Sequence, residues 1–427
     1  MLETSPWRQQ LAALYGTDPA IIAKQTSRYH GLIQEFQQRF QPANIHLFSA
    51  PGRTEIGGNH TDHNHGKVLA ASISLDSIAA AAPTTDQRVT IYSAGYPTPF
   101  VVELNDLGLR TTEPRTTLAL IRGMASRFQQ LDYQIGGFNA CVTSDVMIGS
   151  GLSSSASIEI LIGTILNAFY NADFIAPLML AQIGRYAENV YFNKPCGLMD
   201  QIACATGGIV AIDFENPEQP RVEEIEFDFA NQNYSLLVVD TGVHHADLTD
   251  DYAAVPREMK AVAAQLGKNF CREISRDEIL KNLHPLRSRV GDRAVLRALH
   301  FLDENERVDR QVTKLRVGDF LAFLREVTAS GQSSMRWLQN CFTPQNVAEQ
   351  SLMLALALTE SFLNKIGAGA GRVHGGGFAG TIQVFLPSPF VVEFTELMEG
   401  VFKRGAVQVL SIRPLGPLAF TLGLCSG

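Results

Sequence analysis

Residues 52–66, GRTEIGGNHTDHNHG, hold three histidines (His60, His63, His65), Asp62 and Glu55 within fifteen positions. Histidines and carboxylates are zinc's donor set. On a glycine-flanked loop the same groups can also make paired hydrogen bonds to adjacent hydroxyls, and a site built that way rejects analogues lacking them. The second reading is preferred, with His60 and Asp62 as ligand contacts and His63 and His65 behind them or toward solvent. A second stretch, IGSGLSSSAS (148–157), sets small residues ahead of a long apolar segment with helical spacing. Its backbone N–H groups and the positive end of the helix form an anion cradle, and its serine hydroxyls add donors, one of which can ligate Mg²⁺. A hydrolase nucleophile elbow would need G-x-S-x-G and a Walker loop GxxxxGK[ST]; this chain supplies neither in these loops. A third stretch, GAGAGRVHGGGFAG (367–380), matches GxGxxG formally at Gly375, Gly377 and Gly380. A helical pattern precedes it and a strand follows, the reverse of dinucleotide-binding context, so it reads as a second glycine wall. His244 and His245 look like a metal pair, but neighbours on a strand point to opposite faces.

The elements that must position these loops alternate strands and helices in α+β style. Residues 1–40 carry apolar positions at helical spacing, while IHLFSAPGR (45–53) and KVLAASISLDSIAAAAP (67–83) are β-prone runs either side of the histidine tract. The first of these runs is expected to end at its Pro and Gly. Further strands are expected at RVTIYSAG, PFVVELND, GGFNACVTSDV, YSLLVVDTG and TIQVFL, and helices at TTLALIRGMASRF, GLSSSASIEILIGTILNAFY, DDYAAVPREMKAVAAQLG, FLAFLREVTAS and NVAEQSLMLALALTESFLNKIG. The length of 427 residues suggests two lobes, with punctuation near 212–226 placing them at 1–225 and 226–427. The strands VQVLSIRP and LAFTLGL could return to either lobe.

Hydrophobic content of 45% with 18% charged residues is that of a globular chain. A net charge of −8 with no run of Lys or Arg argues against nucleic acid as a partner. Six cysteines without a CxxC pair, including Cys425, read as reduced thiols. With no signal peptide or membrane-length apolar run, the expectation is a cytoplasmic protein, monomeric or weakly dimeric, without membrane contact.

The three loops, in this order, resemble the three motifs of the GHMP kinases, and most closely those of the galactokinases. AENVYFNKPCGLMDQIACATG (187–207) and TGVHHADLTDDY (241–252) are also similar to galactokinase segments. The resemblance spans roughly residues 40–420. It implies a two-lobed α+β fold of mixed sheets and helices with its active site in the interlobe cleft, dependence on ATP and Mg²⁺, and phosphorylation of a sugar hydroxyl at C1. By matching position, Asp200 takes the place of the catalytic aspartate and Arg53 that of its partner. Ser155 and Glu188 fall where the family places Mg²⁺ ligands. Asn59, His60, Asp62, Gly197 and Tyr252 fall at sugar positions. Gly149, Ser150, Gly151, Leu152, Ser153, Ser154, Ser155 and Ala156 form the phosphate loop, with Gly376 and Gly377 opposite. Taken singly, Arg53 would read as a surface ion pair, Asp200 as a helix cap, Glu188 as a solvated charge, Tyr252 as a packing residue and Cys196 as pocket wall.

The chain departs from the family at Asn59, where galactokinases have glutamate, at His63 for tyrosine, at Glu55 for a frequent asparagine, and at Met147 for proline. By resemblance the glutamate would contact the C6 hydroxyl. Galactose is the first expectation, and galacturonate, L-arabinose or fucose the alternatives. Two other classes stay open: a sugar and ATP sensor with little turnover, and a zinc enzyme. Asp200 either accepts the hydroxyl proton or only orients the hydroxyl.

Overall fold

The computed structural model describes residues 5–41, 44–147, 149, 151–194, 196–242 and 248–422. Ser150, His244, His245 and Cys425 lie outside the described residues.

Two amphipathic helices open the chain, α1 (Ser5–Tyr15) and α2 (Pro19–Phe40). Asp18 caps α2 by accepting from the Ala20 N–H at 2.8 Å, with Pro19 at the first helical position. Tyr29, Leu32, Ile33 and Phe36, spaced to share one helical face, bury against Leu47, Ile78 and Ala80 of the first sheet.

That sheet contains β1 (Ile45–Gly57), β2 (Lys67–Pro83), β3 (Arg88–Ser93), β4 (Phe100–Glu103), β5 (Phe138–Ser144), β6 (Ile209–Asp213), β7 (Arg221–Ile225) and β12 (Leu418–Leu422). Its main path runs β12-β1-β2-β5-β3-β4, with β6 and β7 continuing from the other half of β2. β2 is mostly apolar because both of its faces are covered. Ala79 and Ala81 enter one core with α3 (Thr117–Gln130), α4 (Ser154–Tyr170), α5 (Pro177–Tyr186) and α6 (Met199–Thr206); Ile78, Ala80 and Ala82 enter the other with α1 and α2.

β1 does not end at Pro51 and Gly52 as expected. It continues to Gly57 by absorbing them in a register shift between Pro51 and Arg53, with a second shift between Glu55 and Gly57. Bulges of this kind re-aim side chains, and both flank residues of the site. The loop between β1 and β2 is thereby shortened to 58–66, with one 3₁₀ turn at Asp62–Asn64.

The second sheet comprises β8 (Tyr234–Asp240), β9 (Ala370–Val373), β10 (Thr381–Pro387) and β11 (Val407–Leu410), in the order β11-β8-β10-β9 and antiparallel throughout. The helices of this half are α7 (Thr249–Gln265), α8 (Arg276–Lys281), α9 (Leu283–Val290), α10 (Asp292–Arg316), α11 (Phe320–Ser333), α12 (Ser351–Ile366) and α13 (Val391–Val401). On β8, Leu237 and Val239 face α12 and α13, whereas Leu236 and Val238 face a core that also holds Ile56, Leu69, Ile73 and Leu152 from the first half. Each such buried aliphatic side chain contributes about 1.5–3 kcal/mol, so the two halves share one apolar seam. α12 starts at Ser351, later than its periodicity suggested. The two C-terminal strands part: β11 joins the second sheet, and β12 crosses the expected division at 225 to pair with β1.

Candidate active site

Arg53 leaves β1 at the first register shift, and its guanidinium reaches Asp200 on the first turn of α6, with both Nε and Nη2 at 2.8 Å from Oδ1. Its Nη1 donates to the Gly151 carbonyl, and its backbone N–H donates to the Leu152 carbonyl at 3.1 Å. The Ser153 hydroxyl donates to the other oxygen of Asp200. Ser153 stands at the N-cap of α4 with φ +59°, and its side chain caps nothing. The left-handed turn that opens the helix therefore spends its hydroxyl on the carboxylate. Burial alone would raise the Asp200 carboxyl, but the Arg53 charge, the Ser153 hydrogen bond and Lys194 outweigh it and hold the group below the usual carboxylate range. An ionised carboxylate thus sits beside the N-terminus of a helix of 17 residues. Gly149 and Gly151 have φ of +78° and +72°, and a Cβ on Gly151 would come within 3.1 Å of His374 Nδ1. The loop before α4 thus packs against the stretch 374–377. Ala156 is buried, and Ser154 and Ser155 stay partly open.

Glu188 lies on a single π-helical turn, Ala187–Tyr191, an insertion common at functional sites. The turn carries it inward, where its carboxylate is 1% exposed. Oε1 accepts from Ser155 Oγ at 2.9 Å and from Lys194 Nζ at 2.8 Å, and Oε2 accepts from Gln201 Nε2 at 2.8 Å. The same amide nitrogen donates to Glu159 at 3.0 Å. Burial and the neighbouring Glu188 both push the Glu159 carboxyl upward, favouring its neutral form. Ser155 and Glu188 therefore present hard oxygen donors side by side. Cys196 forms part of the wall, its thiol raised by burial and by Glu188, which keeps it from acting as a nucleophile.

The loop after β1 meets the second glycine wall carbonyl by carbonyl. Asn59 donates to the Gly375 carbonyl at 2.7 Å, His60 Nε2 bonds the Gly376 carbonyl at 2.8 Å, and the Tyr252 hydroxyl of α7 donates to the Gly377 carbonyl at 3.0 Å. Burial drives the His60 pKa down to about 3, so the imidazole is neutral and Nε2 carries the proton that a carbonyl partner requires. Asn59 also donates to Glu55 at 2.9 Å, and its oxygen accepts from Asn340 at 2.8 Å and Ser334 at 3.2 Å. That uses the full capacity of a primary amide. The expected contact of Asn59 with a C6 hydroxyl is thus replaced here by a lock on its own surroundings. Glu55 completes the lock through an ion pair with Arg372 at 2.6 Å, both side chains being buried.

Asp62 Oδ1 accepts from the His63 N–H at 2.9 Å, and Oδ2 faces Gly197, where a Cβ would stand 1.7 Å from it. Only glycine leaves room for that carboxylate. Gly197→Ala is expected to push the Asp62 carboxylate aside while leaving the thermal midpoint within about 2 °C; a structure of the variant with Asp62 unmoved would refute the placement. The histidines do not converge. His60 and His63 have ring centroids 6.2 Å apart, and His65 stacks on Phe270 at 3.7 Å. Among the described residues no three His, Cys, Asp or Glu side chains gather as a metal cluster, and no helix is long and apolar enough to cross a membrane.

Arg53, Ser153, Ser155, Glu188 and Asp200 thus meet on one side, and His60, Asp62, Gly197 and Tyr252 on the other. Sequence reasoning missed Lys194, Gln201 and Asn340. Lys194 alone carried a signal, as a cation six positions from both Glu188 and Asp200.

Two family models match the chain: the galactokinase galactose-binding signature over residues 34–83 and the GHMP kinases N terminal domain over residues 119–208. The chain is similar to a galactokinase of Streptomyces coelicolor, 30% identical over 367 residues that cover 85% of this chain and 90% of the relative. It is 29% identical to a galactokinase of Lacticaseibacillus casei over 70% of this chain and 76% of the relative. Among solved structures, Lactococcus lactis galactokinase complexed with galactose superimposes with a TM-score of 0.79 at 23% identity, covering 92% of this chain and 99% of that one. Methanococcus jannaschii mevalonate kinase gives 0.61 at 15% identity, over 86% and 98%. At these identities the structural likeness speaks for the fold.

Proposed function

The chain belongs to the galactokinase family of the GHMP kinases, and from that premise we propose that it transfers the γ-phosphate of ATP to the C1 hydroxyl of galactose, giving galactose 1-phosphate. The observation that carries the reading is the Asp200 carboxylate, held ionised between Arg53 and Ser153 at the mouth of the phosphate loop.

Phosphoryl transfer needs an oriented hydroxyl and neutralised phosphate charge more than covalent help. In this reading His60, Asp62 and Tyr252 bind the sugar, with Gly197 giving Asp62 its space, and C1 is turned toward Asp200. Asp200 orients the attacking hydroxyl and accepts its proton as the new bond to the γ-phosphorus forms and the bond to the β,γ-bridging oxygen breaks, with ADP as the leaving group. Arg53 keeps that carboxylate ionised and meets the negative charge growing on the transferring group. The backbone of 149–156, with the N-terminus of α4 behind it, takes the other phosphate oxygens. Ser155 and Glu188 offer the oxygen donors suited to Mg²⁺. When bound, Mg²⁺ would supply charge neutralisation on the β- and γ-phosphates. A cytoplasmic reaction agrees with the free thiols of Cys141, Cys196, Cys204, Cys271 and Cys341.

Coupled ADP release with Mg·ATP tests the proposal across galactose, galacturonate, L-arabinose, fucose, N-acetylgalactosamine and glucose. The expected result is the highest kcat/KM on galactose. Thermal stabilisation by galactose without turnover on any sugar would overturn the reading in favour of a sensor.

A further inference from the structure

Lys194 is the cation that the mechanism above leaves unused. Its ammonium lies 2.8 Å from Glu188 Oε1, the same oxygen that accepts the Ser155 hydroxyl. The backbone beneath it is fixed. The Lys194 N–H donates to the Glu188 carbonyl at 3.1 Å, and Cys196 and Asn189 exchange hydrogen bonds at 2.7 and 3.3 Å. The side chain has room to move away from this ion pair: it is 53% exposed, on a flexible four-carbon stem, while the carboxylate it touches is 1% exposed. Glu188, which it touches, also accepts from Ser155 on α4 and from Gln201, the neighbour of Asp200 on α6, so the ammonium lies beside the groups that surround Asp200.

Two cations cannot share one lone pair. Glu188 Oε1 already accepts two hydrogen bonds, so a divalent ion bridging Ser155 and that oxygen would compete with the ammonium for it. Asp200, the other anion nearby, is already held by Arg53 and Ser153. We propose that Lys194 is a mobile phosphate-binding residue: it yields Glu188 to the divalent cation and engages the transferring phosphoryl oxygens, as a point charge complementing the planar Arg53. This rests on the kinase reading of the site.

The test uses Lys194→Met and Lys194→Arg in the full chain, with two readouts. In calorimetric titration with Mn²⁺ alone, without nucleotide, removal of the competing ammonium is expected to tighten binding about two- to fivefold in Lys194→Met. In steady-state kinetics the same variant is expected to lose about ten- to a hundredfold in kcat, with galactose KM within about twofold, and Lys194→Arg to recover most of the loss by restoring the charge. Unchanged or weaker Mn²⁺ binding in Lys194→Met would overturn the proposal, leaving Lys194 as a strut beside Glu188. A kcat within about twofold of wild type would also overturn it, leaving Lys194 a counter-ion of Glu188. Should the unmodified chain turn over no sugar, the kinase reading fails by itself, and the Mn²⁺ titration still decides whether Lys194 contests Glu188.

Discussion

Asp200→Asn is expected to lower kcat on galactose by about 10²–10⁴-fold, the contribution typical of a positioned acid–base group, with galactose KM changed less than about threefold. The amide keeps the shape of the carboxylate and an oxygen for Arg53, so the fold of α6 is undisturbed, but it cannot take the proton of the C1 hydroxyl. It also leaves the buried Arg53 charge without its counter-ion. The pH profile gives an independent check. Because the Asp200 pKa is held below the carboxylate range, its ionised form is complete above the unfolded value of about 4 and is lost only as pH falls through the lower folded value. Activity of the unmodified protein should therefore show no Asp200-dependent fall between about pH 5 and 8. A variant retaining a tenth or more of wild-type kcat would show that Asp200 only orients the hydroxyl.

The largest loss of stability is expected at a buried ion cluster on β2 that takes no part in the chemistry. Asp76 on β2 is fully buried and accepts from the Tyr15 hydroxyl at 2.5 Å, from Arg28 at 2.5 Å, from Arg413 at 3.1 Å and from the Ser49 hydroxyl. Arg413 is itself fully buried and also donates to the carbonyls of Leu415 and Gly416 at 2.8 and 2.7 Å. Removing the carboxylate leaves a buried guanidinium without a counter-charge, at a cost of about 3–5 kcal/mol. Asp76→Ala should lower the unfolding free energy by that amount, read as a lower urea midpoint at an unchanged m-value. Asp76→Asn, which keeps an acceptor, should lose less. A shift below about 1 kcal/mol, the scale of a surface pair, would show that water reaches the cluster.

The site's loops were legible because their chemistry is written in local composition. Glycine next to serine at 149–155, and histidine and aspartate between glycines at 58–66, each make sense within a dozen residues. Helical and strand periodicity likewise located α2, α4, β8 and β10. What escaped was set by partners distant in the chain. Asn59 reads locally as a ligand contact, but its amide is claimed by Ser334, Asn340 and Gly375, which no window around residue 59 contains. Pro51 and Gly52 look like a strand end, yet pairing with β2, resumed after a register shift, carries β1 past them. VQVLSIRP and LAFTLGL have the same β-prone character, and only the open edges of β8 and β1 decide which sheet each enters.

The pairing of β12 with β1 also sets a timetable. Ser49 lies opposite Leu418, and Arg413 reaches back to Ser49 and Asp76. At roughly 5–20 residues per second of synthesis, the outer edge of β1 waits on the order of tens of seconds for its last neighbour. During that wait its N–H and C=O groups are open to any other strand, and Asp76 lacks one of its two guanidinium partners. The first half of the chain is therefore translated early and finished late, and its vulnerability to mispairing belongs to the nascent protein on the ribosome.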